Sequence, residues 1–528
     1  MKIKSMSIKN FRGYRNTTEI PFDNLTVFVG KNDVGKSTIL EALDIFFHDG
    51  KGVSKIEKTD VNVLEKSNGN TDTVITVIFD DLPVEIVIDQ TARTTLQAEH
   101  LLNSDGRLEV IKVFRDAAGP KTFIRAVHPT NPDCAGLLLK KNADLRKIVT
   151  AKGIQCENQM NNVRLREAIW RYYQDDLQLD EVQIDVSKED AKAIWEKLAV
   201  YMPVYSLFQS DRKNSDGDSE VQDPLQDAVK EIIRDPQLQA TLSDVAEVVE
   251  GKLREVADRT LAKIRELDPS IANSLNPDIP PAIALKWADV FKKVSITGDE
   301  DIPINKRGSG VKRLVLLSFF RAEAERRQEE GGNTGIIYAI EEPETSQHST
   351  NQRILINALK DLAGTPNVQV ILTTHSGVIV KCLSFDNLRM VIDENGEKNV
   401  REIEPGVLLY PSLNEVNYLA YGEAAEEYHD ELYGFLKEKN KLHEYEQGKP
   451  RVAYTRPNNN GVLRTEQIIK TEYIRHQIHH PENHNNPRFT HTELLDSIQA
   501  MRDFIQTERN AGRIDPPQQR MAFLSGMI

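Results

Sequence analysis

The chain has 528 residues, of which 39% are hydrophobic and 28% are charged. This is too long for one ordinary core, and the composition is that of a folded protein rather than a disordered one. No apolar run approaches the roughly 18 residues that cross a bilayer, and the first residues lack the apolar core of a signal peptide. Cys134, Cys156 and Cys382 form no CxxC pair, which excludes a disulfide framework and a thiolate zinc site. We therefore expect a cytoplasmic protein of two or three domains without a membrane partner.

The formal net charge of −14 is unevenly distributed. Residues 101–171 contain 13 Lys and Arg against 7 Asp and Glu, a net charge of +6, so the remainder carries −20. Eight cations of this segment could form a face that contacts nucleic-acid phosphates: Lys140, Lys141, Arg146, Lys147, Lys152, Arg164, Arg166 and Arg171. The alternative is a solvated surface, because a run of charge in a soluble protein is usually only that.

The predicted elements alternate between strands and helices along the chain. Strands are expected at residues 2–10, 25–29, 73–79 and 84–88, with a helix at 37–47. Residues from about 160 to 270 follow a helical pattern, with apolar residues at a spacing of three or four from Leu238 to Ile264. Pro236 and a proline-rich stretch at 276–281 limit this apolar run to roughly 30 residues, which is too short for a long coiled-coil arm. Strands at 335–340 and 368–373 flank a helix at 351–362, which predicts a parallel βαβ unit. After Pro411 the sequence is helical and polar.

A glycine-rich segment follows the strand at 25–29. Residues 30–37 read GKNDVGKS and match the phosphate-loop pattern GxxxxGK[ST], between a predicted strand and a predicted helix. In such a loop, backbone N–H groups surround a β-phosphate, the lysine neutralises phosphate oxygens and the hydroxyl binds Mg²⁺. We predict that ATP and Mg²⁺ are the cofactors, with these loop residues at the site: Gly30, Asn32, Gly35, Lys36, Ser37 and Thr38.

The strand at 335–340 ends in the acidic sequence EEPE, which begins at Glu341. Adjacent acids at the end of a buried strand are typical of a Walker B motif, in which one acid reaches Mg²⁺ and the next polarises the attacking water. We assign these roles to Glu341 and Glu342, with a solvated charge cluster as the alternative. His375, just past the strand at 368–373, is predicted to contact the γ-phosphate, although a lone histidine is more often structural.

Between these motifs, residues 307–313 read RGSGVKR and precede an apolar helical stretch. Small residues at a helix N-terminus with flanking cations can hold a phosphate. We predict that Gly308, Ser309 and Gly310 contact the γ-phosphate of a nucleotide on another subunit. Taken alone, Gly-Ser-Gly is an ordinary loop.

Together, the motifs GKNDVGKST, RGSGVKR, IYAIEEPETSQH and VILTTHS resemble those of an ABC-type ATPase head of the RecF, SMC and OLD kind. The resemblance covers roughly residues 1–95 and 300–395. It implies an α/β head with a mixed or parallel sheet, and a head-to-head dimer in which one protomer's signature completes the ATP site of the other. The separation between loop and signature implies a large insertion between two lobes.

Two features narrow this resemblance. Glu341 stands where such heads usually have Asp, as in the OLD-like branch, and residues 205–216 with the EEPETSQHSTNQ run resemble anti-phage ATPases related to Gabija. OLD and Gabija ATPases carry a C-terminal Toprim nuclease, which needs a D-x-D pair, and no D-x-D occurs after residue 400. We therefore expect no Toprim module, as in the ATPase subunits of Septu and PARIS, which work with a separate effector. The family's Q-loop glutamine cannot be assigned from the sequence.

Five of the 12 histidines lie after residue 470. Arg475 and His480 fit the R-polar-x3-H pattern of HEPN ribonucleases, in which arginine binds the scissile phosphate and histidine acts as general acid or base. The pattern is short, and Pro481 ends the helix directly after His480. Two alternatives are a zinc site at His476, His480 and His484, which lacks a carboxylate or cysteine at firm spacing, and a helix end that packs on the head or a partner.

The motifs divide the predicted α/β protein into four parts. They are an ATPase lobe with the phosphate loop at 1–160, a helical insertion at 161–300, a second lobe with the signature, Walker B motif and His375 at 301–410, and a helical C-terminal domain at 411–528.

The resemblance implies an OLD-like ATPase of a bacterial anti-phage defence system. It would form a homodimer or higher homo-oligomer and control or scaffold a separate nuclease, with Glu342 and His375 as catalytic residues and Ser37 and Glu341 as metal ligands. Two alternatives remain open, an ATP-gated HEPN-like ribonuclease and a RecF-like DNA-repair ATPase.

Overall fold

A computed structural model describes residues 1–89, 92–209, 335–345, 347–457 and 462–516, with scattered positions between 238 and 254. Apart from those scattered positions, the described residues belong to one folding unit, formed from Met1–Ser210 and Ala324–Ile528. The predicted signature residues Gly308, Ser309 and Gly310 lie outside the described residues, as does most of the helical run predicted between 238 and 264.

The strands lie mainly in the first 400 residues. They are β1 (Lys2–Lys9), β2 (Thr18–Pro21), β3 (Leu25–Val29), β4 (Asp72–Asp80), β5 (Ile86–Asp89), β6 (Ala92–Thr94), β7 (Leu108–Arg115), β8 (Lys121–Pro129), β9 (Leu179–Asp185), β10 (Val204–Phe208), β11 (Ile336–Ile340), β12 (Val368–Thr373), β13 (Leu388–Glu394), β14 (Glu397–Glu402), β15 (Arg451–Pro457) and β16 (Leu463–Ile469).

The helices lie between the strands and dominate the C-terminal part. They are α1 (Lys36–Phe47), α2 (Val63–Ser67), α3 (Asn142–Ala151), α4 (Asn162–Tyr172), α5 (Glu189–Ala199), α6 (Ser349–Ala363), α7 (Gly377–Val380), α8 (Leu413–Tyr421), α9 (Glu426–Glu438), α10 (Leu442–Glu446), α11 (Lys470–His479) and α12 (His491–Asn510). Within the described ranges, no helix has both the length and the apolar character needed to span a bilayer.

One large sheet is antiparallel, with strand order β2-β1-β4-β7-β8-β9. Buried and less buried positions alternate along most of β8, where Ile124 and Ala126 are buried. This period of two residues is expected of a sheet with one face on a core. β9 forms an edge of the sheet by pairing antiparallel with β8.

The other large sheet has the order β10-β11-β12-β3-β13-β14, and its first five strands are parallel. Every residue of β3, β11 and β12 is buried, which explains why these strands are unbroken apolar runs. α6 joins β11 to β12, and the two strands pair in parallel with Ile336 opposite Val368. The predicted βαβ unit and the α/β fold with a mixed sheet are confirmed.

Helix α1 contacts both sheets. The ring of Phe47 stacks on Tyr205 of β10 with centroids 5.3 Å apart, and the ring of Phe46 lies 6.4 Å from that of Phe79 on β4. Ile39 and Leu43 of the same helix are also fully buried. Because α1 begins directly after the glycine-rich loop, packing against two sheets fixes the position of that loop.

The predicted start of the helical insertion at residue 161 is wrong. β9 extends the antiparallel sheet, and β10 pairs in parallel with β11, so both strands belong to the two sheets of the head. The sequence did not predict these two strands, because β9 is a largely polar edge strand with the sequence LDEVQID and β10 has only five residues. α4, which precedes β9, and α5, which lies between the two strands, are helical, as predicted.

The C-terminal part is helical, as predicted, and it also contains a small hairpin. α9 and α12 form its core through buried side chains that include Leu432 and Leu436 on one helix and Ile498 and Met501 on the other. β15 and β16 pair antiparallel along their whole length. The hairpin escaped recognition because its strands are mostly exposed and alternate weakly.

The basic segment at 101–171 is mostly neutralised by acids. The Arg166 guanidinium is 1% exposed and donates to Glu99 at 2.7 Å. Four other cations of the predicted phosphate-contacting face form ion pairs at the surface: Lys147, Lys152, Arg164 and Arg171. Five of the eight predicted cations are thus paired with acids, which favours the solvated-surface interpretation over nucleic-acid contact.

We expect Arg166→Met to lower the free energy of unfolding by about 3–5 kcal/mol, since it leaves the carboxylate of Glu99, itself 2% exposed, buried without its counter-ion. Arg164→Met on the same helix is the matched control. The side chain of Arg164 is 47% exposed in its pair with Glu167, so its loss should cost under about 1 kcal/mol. Urea unfolding measures both variants, and equal losses would contradict the buried role of Arg166.

Candidate nucleotide-binding site

The loop between β3 and α1 has a backbone that requires glycine at two positions. Gly30 and Gly35 have φ angles of 144° and 105°, in the region that residues with a Cβ rarely adopt. A Cβ on Gly30 would also lie 2.5 Å from the carbonyl oxygen of Val391. The two glycines of the sequence pattern are therefore required by the fold of the loop itself.

The first turn of α1 is suited to bind an anion. No side chain caps its N-terminal N–H groups, and no acidic residue lies in the turn. Free N–H groups and the positive end of the helix dipole favour a phosphate at such a position. Ser37 and Thr38 lie in this turn and are half-buried, while Asn32 is exposed on the loop.

The ammonium of Lys36 is held by the loop. Its Nζ donates to the carbonyl oxygens of Gly30 at 3.0 Å and Lys31 at 2.7 Å. Burial lowers the pKa of Lys36 to about 8, against the opposing effect of nearby carboxylates, of which Glu342 is the strongest. Bound phosphate oxygens would favour the charged form and could replace the two carbonyls as its partners.

The strand order brings Glu341 to this loop. Only β12 separates β11 from β3 and all three are parallel, so their carboxyl ends lie at one edge of the sheet. The hydroxyl of Ser37 donates to Oε1 of Glu341, directly after β11. The two predicted metal ligands therefore meet although they are 304 positions apart. Both offer oxygen, and two protein oxygens fit Mg²⁺, which usually keeps phosphate and water as its other ligands.

Glu342 and His375 face each other beside the loop. Oε1 of Glu342 lies 3.2 Å from Nε2 of His375. Burial, followed by the charge of Lys36, lowers the pKa of His375, while Glu342 acts to raise it. A neutral imidazole that donates from Nε2 to the carboxylate fits this contact. The structure thus brings the predicted catalytic pair together.

The backbone at Glu342 is strained. Its φ angle is 39°, which is uncommon for a residue with a side chain and costs free energy. The N–H of Glu342 donates to the carbonyl oxygen of Thr373 at 3.1 Å, which ties this turn to the end of β12. This hydrogen bond to β12 therefore stabilises the strained conformation of Glu342.

Glu344 organises the segment that carries His375. Its Oε1 accepts from the hydroxyl of Thr374 at 2.7 Å and from the backbone N–H of His375 at 2.8 Å. Its Oε2 is buried and has no hydrogen-bond partner among the described residues, and burial raises the pKa of this carboxyl. The sequence showed Glu344 only as the last acid of EEPE, and its contacts identify it as a positioning residue.

Two further side chains near the loop were not recognised in the sequence. Gln209 follows β10 at the same sheet edge as Glu341, and its Nε2 lies 3.4 Å from Oε1 of Glu41 on α1. Arg12, in the loop between β1 and β2, forms ion pairs with Glu41 at 2.5 Å and Asp60 at 2.8 Å. Recognition of β10 as a parallel strand would have identified Gln209, since residues that follow such strands lie at the ligand edge.

The candidate ribonuclease residues do not share a partner. Oδ1 of Asp430 is 3.2 Å from Nε of Arg475 and 2.7 Å from Nε2 of His479. His480 lies past the end of α11, and its Nδ1 is 3.3 Å from Glu482. His479 rather than His480 therefore accompanies Arg475 at this surface. Neither here nor elsewhere in the described ranges do three or more potential metal-ligating side chains cluster, so the zinc interpretation gains no support.

The family of the chain follows from its sequence. The profile of the AAA ATPase domain family matches residues 1–380, which include the loop, Glu341, Glu342 and His375. The chain belongs to the AAA ATPase domain family. It is accordingly an enzyme that binds and hydrolyses ATP.

Several individual proteins are similar to this ATPase. An ATP/GTP phosphatase of Helicobacter pylori is 23% identical over 391 residues, which are 72% of this chain and 87% of that protein. An SMC head bound to the C-terminal winged-helix domain of ScpA is 14% identical, with 76% of this chain and 98% of that one covered and a TM-score of 0.36. The SMC head domain from Thermotoga maritima is 12% identical, with 77% and 100% covered and a TM-score of 0.32.

We expect Glu344→Ala to lower kcat for ATP hydrolysis by roughly tenfold or more, since the Thr374 hydroxyl and the His375 N–H lose their acceptor and His375 loses its orientation. Glu344→Gln keeps an acceptor oxygen and should stay within about threefold of the unchanged protein. Steady-state ATPase assays compare the two substitutions. Equal losses would show that the charge of Glu344, rather than its hydrogen bonds, matters.

Proposed function

We propose that the edge of the parallel sheet binds Mg²⁺·ATP and that Glu342 activates the water which attacks the γ-phosphate. The observation that carries this proposal is that five residues meet at one place, from the first turn of α1 and the ends of the two strands β11 and β12: Lys36, Ser37, Glu341, Glu342 and His375. The ATP/GTP phosphatase activity named for the H. pylori relative supports it.

Each residue has a role that its contacts support. Lys36 leaves its two loop carbonyls and binds phosphate oxygens. Ser37 and Glu341 would hold Mg²⁺, which would neutralise phosphate charge. Glu342 accepts a proton from the attacking water, and the neutral imidazole of His375 orients this carboxylate and contacts the γ-phosphate.

We further propose that two protomers share their ATP sites. In this arrangement Gly308, Ser309 and Gly310 of one protomer contact the γ-phosphate held by its partner. The exposure of Asn32 and Asp33 on the loop supports this proposal, since that side is accessible to a second copy. The resemblance of RGSGVKR to the signature of ABC-type heads is the second support.

The biological role that we propose is anti-phage defence, in which the oligomeric ATPase controls a separate nuclease. The resemblance of the EEPETSQHSTNQ run to defence ATPases supports this role, as does the lack of D-x-D after residue 400. In this proposal, a partner nuclease supplies the nucleic-acid cleavage.

Glu342→Gln should lower ATP turnover by roughly 10²- to 10⁴-fold, because the amide cannot take the proton of the attacking water. Affinity for ATP should change little, since Lys36 and Ser37 remain. Glu427→Gln, on the exposed side of α9, is the matched control and should retain turnover. Turnover and nucleotide affinity are measured on the purified chain, and phage plaque counts on cells that carry the same variants.

Unchanged turnover in Glu342→Gln would contradict the assigned chemistry. Loss of turnover with full phage protection would separate the ATPase activity from defence. Stimulation of turnover by duplex DNA without a nuclease partner would favour a DNA-repair role instead.

A further inference from the structure

The phosphate loop has a second contact surface, on the side that faces the C-terminal part. The hydroxyl of Tyr421, the last residue of α8, donates to the carbonyl oxygen of Val391 at 2.8 Å. This hydroxyl would lie 3.3 Å from a Cβ placed on Gly30. Tyr421 therefore fills the space behind the first residue of the loop.

Lys31, the next residue of the loop, also contacts this region. Its Nζ lies 4.5 Å from the centroid of the Tyr421 ring and 3.6 Å from Oε2 of Glu423. An ammonium over an aromatic face and beside a carboxylate is attracted by both. The Lys31 side chain thus binds the end of α8 and the residue that follows its C-cap.

The backbone of Gly30 and Lys31 binds Lys36, the lysine proposed to contact phosphate. The carbonyl oxygens of Gly30 and Lys31 accept from Nζ of Lys36, as described above. The Gly30–Lys31 pair is therefore in contact with Lys36 on one side and with Tyr421 and Glu423 on the other. A phosphate that draws Lys36 away from these carbonyls changes the bonding of the segment against which Tyr421 packs.

α8 is anchored in the C-terminal core. The Glu415 carboxylate of this helix accepts from Arg502 of α12 and from the hydroxyl of Tyr428 of α9, both at 2.9 Å. It also accepts from the backbone N–H of Val407 at 2.7 Å. Since Glu415 and Arg502 are largely buried, a displacement of α8 is opposed by α9 and α12.

We infer that Tyr421 and Glu423 are positioning residues of the phosphate loop and that they transmit nucleotide occupancy to the C-terminal part of the chain. This inference rests on the proposed binding of ATP phosphates by the loop. Gly30 and Lys31 are the residues that contact both Lys36 and Tyr421. A change in their bonding is passed through α8 to α9 and α12.

Hydrogen exchange on the full chain tests this inference, with and without Mg²⁺ and a non-hydrolysable ATP analogue. In the unchanged protein, nucleotide should alter exchange in both α1 and α8. In Tyr421→Ala, α1 should still respond, whereas the response of α8 should be lost. Tyr421→Phe keeps the ring beneath Lys31 and should retain part of the α8 response. Tyr410→Ala removes a partly exposed tyrosine that packs on Lys381 instead, and it should leave both responses intact.

Steady-state kinetics provide a second measurement. Tyr421→Ala should raise KM for ATP by roughly 3- to 10-fold, and more than it lowers kcat, because the loop is less well ordered for binding. A loss of kcat alone would not fit a residue that positions the loop.

The outcomes separate the inference from the proposed function. No response of α1 in the unchanged protein would overturn nucleotide binding at the loop. A response of α1 without one in α8, or an α8 response that survives Tyr421→Ala, would overturn the transmission. If Tyr421→Ala fails to fold, Lys31→Met tests the transmission instead, since it removes the ammonium that contacts the Tyr421 ring and Glu423. A full α8 response in that variant would overturn the inference as well.

Discussion

The structure depends on one topological constraint, the position of β3 inside a parallel sheet beside β12 and two strands from β11. This order places the glycine-rich loop and the acidic end of β11 at the same edge, and it makes the contact between Ser37 and Glu341 possible. Residues from distant parts of the sequence form one site only because these strands run in the same direction. The packing of α1 on both sheets then fixes the loop against that edge.

The electrostatics of the site follow from this convergence. Glu341, Glu342, Glu344 and Asp33 all act on the pKa of Lys36, while burial opposes them and leaves it at about 8. Several carboxylates thus surround one ammonium, and a triphosphate would add further negative charge. In the proposed function, a divalent cation bound by Ser37 and Glu341 would offset this negative charge when the nucleotide binds.

The sequence predicted the parts of this site that follow from local patterns. β3 and β12 have the boundaries that their apolar sequences predicted, and the two glycines of the GxxxxGK[ST] pattern have the positive φ angles that require glycine. Buried parallel strands and phosphate loops both have strong local sequence signals. β9 and β10 were not predicted, because a polar edge strand and a strand of five residues have weak local sequence signals. The roles of Glu344 and Tyr421 could not be predicted, because their partners are brought to them only by the tertiary fold.

The proposed function requires Ser37 and Glu341 to act on one metal–nucleotide complex. A double-mutant cycle on the affinity for Mg²⁺ with a non-hydrolysable ATP analogue, measured by calorimetry, tests it most directly. Ser37→Ala and Glu341→Gln should each weaken binding, and the double substitution should lose less than the sum of the two by about 1 kcal/mol or more, since both ligands serve the same ion. Additive losses, or no loss in either single variant, would contradict the account.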